Sequence, residues 1–393
     1  MEKQLLVLLD GNAIIHRAFH AFRASRPPVV FTVRTTGEIV TAVYGFAQML
    51  LKTITDLQPS CYAVAFDTPE PTFRHVMFEA YKAQRPPTPD ELIDQFARVR
   101  ELVEAFNIPI YELPGYEADD VLGTLSRQAA EQGMETYIVT GDADTMQLVS
   151  PMVKVISPRP RGSFSDTIQY DEAAVFDKFG VTPRQIIDLK ALKGDPSDNI
   201  PGVPGIGEKT AVKLISQFGS LEGIYDHLDE VAPARIQTIL RDNREIGFTS
   251  KTLATINVES PVTLDLDRCR LSRFDRNKVA SLFRELEFNS LIPKLPGSGE
   301  DVHEEESDEL PGIAVEKIYS TVIDEEALEG VVEAISTAEA FAFDLETTGL
   351  DAVSTDIVGI SLATKPGKPG TYRSGISGFS RASNCRCLSS SRN

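Results

Sequence analysis

Five consecutive apolar residues, Leu5-Leu6-Val7-Leu8-Leu9, run directly into Asp10, and the same motif of an apolar run closed by an acid recurs along the chain. Cys61–Asp67 repeats it, and Thr136–Thr140 stops just short of Asp142. Between these runs lie segments of helical periodicity, around Gly45–Ile54 and Glu91–Phe106. A short, unbroken apolar run predicts a strand buried on both faces. Strands alternating with helices predict an α/β fold with a mainly parallel sheet, whose active residues collect at the carboxyl ends of the strands. Asp10, Asp67 and Asp142 fall at or just beyond such ends.

The remaining chain divides by texture. From about Val175 to Leu291 the pattern is helical, with glycine and proline concentrated at Gly194–Gly207. Residues 293–312 carry Pro293, Pro296, Gly297 and Gly299 and then an acidic run, which predicts a flexible linker. A third segment opens with a helix near Asp324–Ser336 and a strand at Ala340–Leu345; Arg373–Asn393 is a Ser/Arg/Gly-rich tract without apolar periodicity. At 393 residues, 42% apolar and 25% charged, the chain is long enough for two or three domains, which excludes a wholly disordered or disulfide-stapled mini-fold. The first apolar run is too short for a membrane span and has no signal-peptide cleavage site, so a cytoplasmic protein without a membrane partner is expected. The cysteines at 61, 269, 385 and 387 have neither zinc-ligand nor disulfide-framework spacing, and free thiols are expected.

A net charge of −19 argues at first sight against a nucleic-acid partner, whose phosphates attract Lys and Arg. Its distribution changes that reading. Residues 300–393 hold 18 acids and 7 basic residues, leaving residues 1–299 with 40 acids and 32 basic residues. Nine of those acids fall in tight groups: Asp10; Asp67; Glu117, Asp119 and Asp120; Asp142 and Asp144; Asp195 and Asp198. Each group is spaced to share a helix turn or a strand face. Gathered at one sheet edge they would repel strongly unless cations neutralised them. No Cys or His accompanies them, so all-oxygen ligation favours Mg²⁺ or Mn²⁺. A pair of such ions about 3.5–4 Å apart suits phosphodiester hydrolysis. Taken singly, each group also has a structural reading, as helix caps or turns; their joint placement at strand ends favours the metal site.

The motifs Leu9-Asp10-Gly11, Val64-Ala65-Phe66-Asp67, Phe73-Arg74, Tyr81-Lys82-Ala83-Gln84-Arg85, Gly115-Tyr116-Glu117-Ala118-Asp119-Asp120, Thr140-Gly141-Asp142-Ala143-Asp144 and Gly194-Asp195-Pro196-Ser197-Asp198-Asn199-Ile200-Pro201-Gly202-Val203 occur in this order. Together they resemble the 5′ nuclease domain of bacterial DNA polymerase I, a relative of flap endonucleases, over about residues 4–290. The resemblance implies a PIN-like α/β nuclease domain over 1–174 with a mainly parallel sheet, and a helical helix-hairpin-helix subdomain over 175–292. It implies one Mg²⁺ held mainly by Asp10, Asp67, Glu117, Asp119 and Asp120, and another mainly by Asp142, Asp144, Asp195 and Asp198, with Mn²⁺ as a substitute. It implies a monomer acting on branched, flapped or nicked DNA and on RNA-primer/DNA hybrids in the bacterial nucleoid.

Phe73–Asp90 interleaves Arg74, Lys82 and Arg85 with Phe73, Phe78 and Tyr81. By the resemblance this is an arch over the metals, with Lys82, Arg85 and Arg74 as catalytic cations for the scissile phosphate. Tyr81 either stacks on an unpaired base or anchors the arch. Gly202-Val203-Pro204-Gly205-Ile206-Gly207-Glu208-Lys209-Thr210 fails as a phosphate-binding P-loop, because Glu208 precedes Lys209 and no buried strand leads into it. It fits a hairpin between helices, where Gly202, Gly205, Gly207 and Lys209 would meet DNA phosphates; the family resemblance adds K⁺ there.

Asp344 and Glu346 in Phe343–Asp351 resemble the first motif of an RNase H-like 3′–5′ exonuclease, an incomplete segment over 313–366 from which the later motifs are missing, so no catalysis is expected of it. The tail 367–393 is expected to be disordered and to derive from a shifted reading frame. Two alternatives to a 5′ nuclease stay open: a non-catalytic DNA-binding remnant of a larger polymerase, and a PIN-like ribonuclease.

Overall fold

The computed structural model describes residues 4–25, 28–159, 166–271, 274–296, 325–337, 342–347 and 357–363. They fall into two units, 1–300 and 301–393.

In the first unit, six strands form one sheet: β1 (Leu5–Asp10), β2 (Cys61–Ala65), β3 (Ile110–Tyr111), β4 (Glu135–Val139), β5 (Val153–Pro158) and β6 (Thr167–Tyr170). Their order is β3-β2-β1-β4-β5-β6, all parallel except β6, which runs antiparallel to β5. The apolar run of β1 lies at the centre because both its faces are covered. Leu5, Val7 and Leu9 pack into one core layer, whereas Leu6 and Leu8 pack into the other, the period of two that a pleated strand dictates.

The first layer is built by α1 (Gly11–Ala24), α2 (Thr41–Leu57) and α4 (Asp90–Ala105), joined by α12 (Arg276–Glu285) through Val279 and Phe283. The short α3 (Phe73–Met77) follows β2. The other layer holds α5 (Ala118–Glu131), α6 (Glu172–Phe179), α7 (Ile186–Lys193), α8 (Glu208–Phe218), α9 (Leu221–Asp226) and α10 (Ala234–Asp242), while α11 (Arg244–Ala254) closes a small cluster of its own with Ile200. Leu189 and Leu192 of α7 share their core with Leu6 and Leu8 of β1, so the helical region is continuous with the sheet. α1 starts tight against the sheet: a Cβ at Gly11 would lie 2.3 Å from the Phe66 ring.

The order places β2 and β4 on opposite sides of β1. That is a topological switch point, and the crevice beyond the carboxyl ends of these three strands is where a ligand site forms.

The second unit contains α13 (Glu325–Thr337) and an antiparallel pair, β7 (Ala342–Thr347) and β8 (Ile357–Ala363). Asp344 and Glu346 stand two residues apart on β7, opposite Ser361 and Gly359. The acidic run at 300–309 and the tail at 367–393 lie outside the described residues. Cys61 and Cys269 are free and buried, as expected of them. Among the described residues no helix is long and apolar enough to cross a membrane.

Candidate active site

The strand ends are tied together by the acids themselves. Asp10 Oδ1 accepts the Ala13 N–H (2.9 Å) and caps α1, while Oδ2 accepts the Thr140 hydroxyl (2.7 Å) beyond β4. Thr140 Oγ accepts the Asp142 N–H (3.0 Å), and Asp142 Oδ1 accepts that of Asp144 (2.9 Å). Beyond β2, Asp67 accepts the Ala118 N–H (2.7 Å) at the start of α5 and donates its own N–H to Asn12 (3.0 Å). Glu117 caps α5, with Asp119 and Asp120 in its first turn, where the helix dipole favours negative charge. The structural roles readable in the sequence and the gathering of carboxylates are therefore both real: caps and turns are what aim the acids.

Asp10, Asp67, Glu117, Asp119 and Asp142 line one cavity of about 410 Å³. Lys82 and Arg85 also line it, as do Asn12, His16 and Arg17 of α1. Burial, then the charges of Asp67 and Asp142, push Asp10 up to about 7. Burial and the charges of Asp142, Asp10 and Asp144 hold Asp119 well above the usual carboxylate range. Burial and Glu117 raise Asp67. Such shifts mark a strongly negative, poorly hydrated pocket. Its donors are carboxylate oxygens, which fit a hard divalent cation of the Mg²⁺ or Mn²⁺ type. Among the described residues no three His, Cys, Asp or Glu side chains converge closely enough to clasp an ion as they stand. Ammonium and guanidinium groups lie among them instead.

Lys82 Nζ is 2.7 Å from Glu117 Oε1, and Arg85 is 2.5 Å from Asp198 Oδ1. Burial works against the Lys82 charge, but Glu117 and Asp198 more than offset it and raise the ammonium's pKa. Lys82 adopts φ 54°, a left-handed conformation costly for a lysine, and its N–H is held by the Asp198 carbonyl (3.0 Å). Backbone strain of this kind persists where the surroundings fix it, and it concentrates at functional sites.

Three expectations require correction. Arg74 and Asp120 are not placed to act on substrate or metal. The guanidinium is 2% exposed and makes a two-pronged pair with Asp120, at 2.8 Å on each arm. Its remaining donors reach the carbonyls of Leu253 and Thr255, and Asp120 also accepts the Asn257 N–H. Neither residue lines the cavity; together they clamp α3, α5 and the end of α11. Consecutive helical residues diverge by about 100°, so Asp119 faces the cavity and Asp120 the interior.

Of its two expected roles, Tyr81 takes the anchor. It is 3% exposed, packs with Ile200 and Leu253, and donates its phenol toward Asp198 (3.0 Å) and Glu117 (3.2 Å). Gly202 is an internal glycine: at φ 64° it abuts Gly194, where a Cβ would lie 2.2 Å from the Gly194 nitrogen, and its N–H is spent on Ser250 Oγ (3.0 Å). Gly205, Gly207 and Lys209 are exposed, and Gly207 caps α8.

Asp144 and Asp195 are brought together outside the cavity by Lys190, a residue the sequence reading passed over. Burial and Asp142 push Asp144 up to about 7; against the cost of burial, Lys190 holds Asp195 at about 2. Asn12, His16 and Arg17 were also unanticipated, although polar residues four apart in α1 beside the apolar Ile14, Ile15, Ala18 and Phe19 signal a second functional face.

A family model described as the 5′–3′ exonuclease N-terminal, resolvase-like domain matches residues 5–180, and one described as the 5′–3′ exonuclease C-terminal SAM fold matches residues 181–277. The chain belongs to the 5′–3′ exonuclease family. A DNA polymerase I of Chloroflexus aurantiacus is 42% identical over 400 residues, which cover 93% of this chain and 41% of that protein. A DNA polymerase I of Bacillus caldotenax is 45% identical over 301 residues, 76% of this chain and 33% of that protein. The exonuclease chain thus spans well under half the length of these polymerases and is homologous to their N-terminal part. A bacteriophage T5 flap endonuclease, solved as a pseudo-enzyme-product complex with DNA and metal ions, has a TM-score of 0.52 at 20% identity, covering 72% of this chain and 100% of that one. The shared fold is the PIN-like α/β nuclease that the resemblance implied, and the helical region expected as a helix-hairpin-helix subdomain matches the SAM fold.

Proposed function

We propose that this member of the 5′–3′ exonuclease family is a Mg²⁺-dependent, structure-specific nuclease that cleaves phosphodiester bonds near the 5′ ends of flapped or nicked DNA and of RNA primers annealed to DNA, acting as a monomer in the bacterial cytoplasm. The observation that carries this reading is a single cavity lined by five carboxylates together with Lys82 and Arg85. Asp10, Asp67, Glu117 and Asp119 would hold one cation, and Asp142, Asp144, Asp195 and Asp198 a second. Such cations supply charge neutralisation at the phosphate and water acidic enough to attack at neutral pH.

The chain's own residues supply the rest. Lys82 and Arg85, on the cavity wall, would exchange their carboxylate partners for phosphate oxygens; the planar guanidinium of Arg85 fits two such oxygens at once. Tyr81 and the Arg74–Asp120 clamp fix Glu117: Tyr81 donates to Glu117 Oε2 at 3.2 Å, Arg74 stands 3.5 Å from the same oxygen, and Asp120 accepts the Glu117 N–H at 3.0 Å. Hydrogen bonds from Ala13 and Thr140 to Asp10 and from Ala118 to Asp67 fix two more acids, each accepting oxygen keeping a second lone pair. The exposed turn Gly205–Lys209, at the N-terminus of α8, would hold duplex phosphates through backbone N–H groups, with the K⁺ that accompanies such hairpins. Cleavage of a 5′-labelled DNA flap in Mg²⁺, and its loss in EDTA, tests the reading; Mg²⁺-dependent cleavage of single-stranded RNA but not of the flap would favour a PIN-like ribonuclease instead.

A further inference from the structure

Lys190, like Arg74, is a buried cation of this region that does not line the cavity, but its partners are two of the acids proposed for the second metal ion. It sits in the last turn of α7 and is 8% exposed. Its Nζ is 2.5 Å from Asp195 Oδ2 and in contact with Asp144 Oδ1. The side chains of Lys190, Asp195 and Asp144 are only 10%, 13% and 17% exposed. The second oxygen of Asp195 is also engaged, by the N–H (2.9 Å) and hydroxyl (2.5 Å) of Ser197. Two of the four acids proposed for the second cation thus already share a buried positive charge, whereas of the acids proposed for the first only Glu117 is paired, with Lys82 and Arg74, and Asp10, Asp67 and Asp119 pair with no Lys or Arg at ion-pair distance among the described residues.

We infer that Lys190 is an internal competitor of the second divalent cation and sets its affinity below that of the first. This rests on the two-cation reading above. A second divalent ion would be held by the Asp144 and Asp195 carboxylates, the same two groups whose charge the ammonium already neutralises. Both cannot be neutralised twice at contact distance, because an ammonium and a dication a few ångströms apart repel strongly at low dielectric. Binding the second ion therefore requires Lys190 to withdraw from both acids. In its paired position Lys190 keeps Asp144 and Asp195 together and prevents their mutual repulsion. The first cation enters the cavity acids without displacing Lys190, so the two ions bind in sequence.

The test is a Mn²⁺ titration of wild-type protein, Lys190→Met and Lys190→Arg, with bound metal counted by electron paramagnetic resonance. The wild type and Lys190→Arg should show one tight and one weak ion. In Lys190→Met the weak ion should tighten by roughly tenfold or more, with the first unchanged. Equal second-ion affinities in wild type and Lys190→Met would overturn the inference. Should Lys190→Met fail to fold, the wild type decides: with ¹³Cε-labelled lysine, the resonance missing from Lys190→Arg should move only in the second phase of a Mg²⁺ titration, and a shift in the first phase or none would refute it. Flap cleavage by the wild type is scored in parallel. Cleavage without the predicted metal shift sinks only the Lys190 role; absence of cleavage and of any metal binding sinks the nuclease reading.

Discussion

Replacing Asp10 with Asn should stabilise the protein without Mg²⁺ while removing its activity. Asp10 is 4% exposed, and burial, followed by Asp67 and Asp142, raises it from 3.8 to about 7. The sign follows directly. Because the folded pKa exceeds the unfolded one, the native state holds a proton between these values that the unfolded state has lost. Stability contributed by that proton is present below pH 4 and is lost as pH rises through 7. A shift of that size corresponds to roughly 4 kcal/mol once the carboxylate is ionised. Asn preserves the shape and the α1 cap, since its Oδ1 can accept the Ala13 N–H (2.9 Å) and its amide can donate to Thr140 Oγ. In EDTA at pH 8, Asp10→Asn should therefore unfold at a higher urea concentration than wild type, by roughly 1–2 M for a gain approaching 4 kcal/mol. At pH 4 the two should coincide. Mg²⁺ should narrow the gap at pH 8 by stabilising the wild type more. A variant less stable than wild type at pH 8 in EDTA, or a gap that does not change between pH 4 and pH 8, would refute the argument that these acids are held together against their own charge.

Other substitutions separate clamp from catalyst. Arg74→Met strands the fully buried Asp120 carboxylate and should cost about 3–5 kcal/mol, lowering the thermal midpoint, whereas Arg74→Met with Asp120→Leu should recover much of the loss; equal midpoints for the single variant and wild type would show that the pair is not structural. Gly202→Ala places a Cβ 2.2 Å from the Gly194 nitrogen at φ 64° and should cost about 2–4 kcal/mol. Gly207→Ala meets nothing within 4 Å, so it should cost no more than the loss of a good N-cap residue, about 1 kcal/mol, measured by the same urea transitions.

The strands that position the site were legible because they are buried on both faces. β1 and β2 are near-continuous apolar runs and β4 ends in one, Tyr137-Ile138-Val139, and each directs an acid to the crevice. β3 has only two residues; β5 is interrupted by Lys154 and ends on Pro158; β6, Thr-Ile-Gln-Tyr, lies at the sheet edge with much of its length accessible. Short, mixed strands give no such signal, because neighbours rather than their own pattern fix them. Grouping by spacing found the acids but not their partners. Nothing local to Arg74 announces Asp120, 46 residues on, and nothing in α7 separates Lys190 from an ordinary surface lysine. Such partnerships are created by the crossing of α3 with α5 and of α7 with the turn after β4. The helix period does carry a clue that spacing alone misses: consecutive Asp119 and Asp120 cannot face the same way.

The central claim is that Asp67 and Asp142, beyond the ends of the two strands that flank β1, serve one hydrolytic site on DNA. The most direct measurement is cleavage of a 5′-labelled DNA flap by wild type, Asp67→Ala and Asp142→Ala in Mg²⁺ and in EDTA, with binding of the same flap measured in parallel. The account predicts cleavage by wild type in Mg²⁺ only, and retained binding without cleavage for both variants. Full cleavage by either variant, or wild-type cleavage undiminished in EDTA, would contradict it.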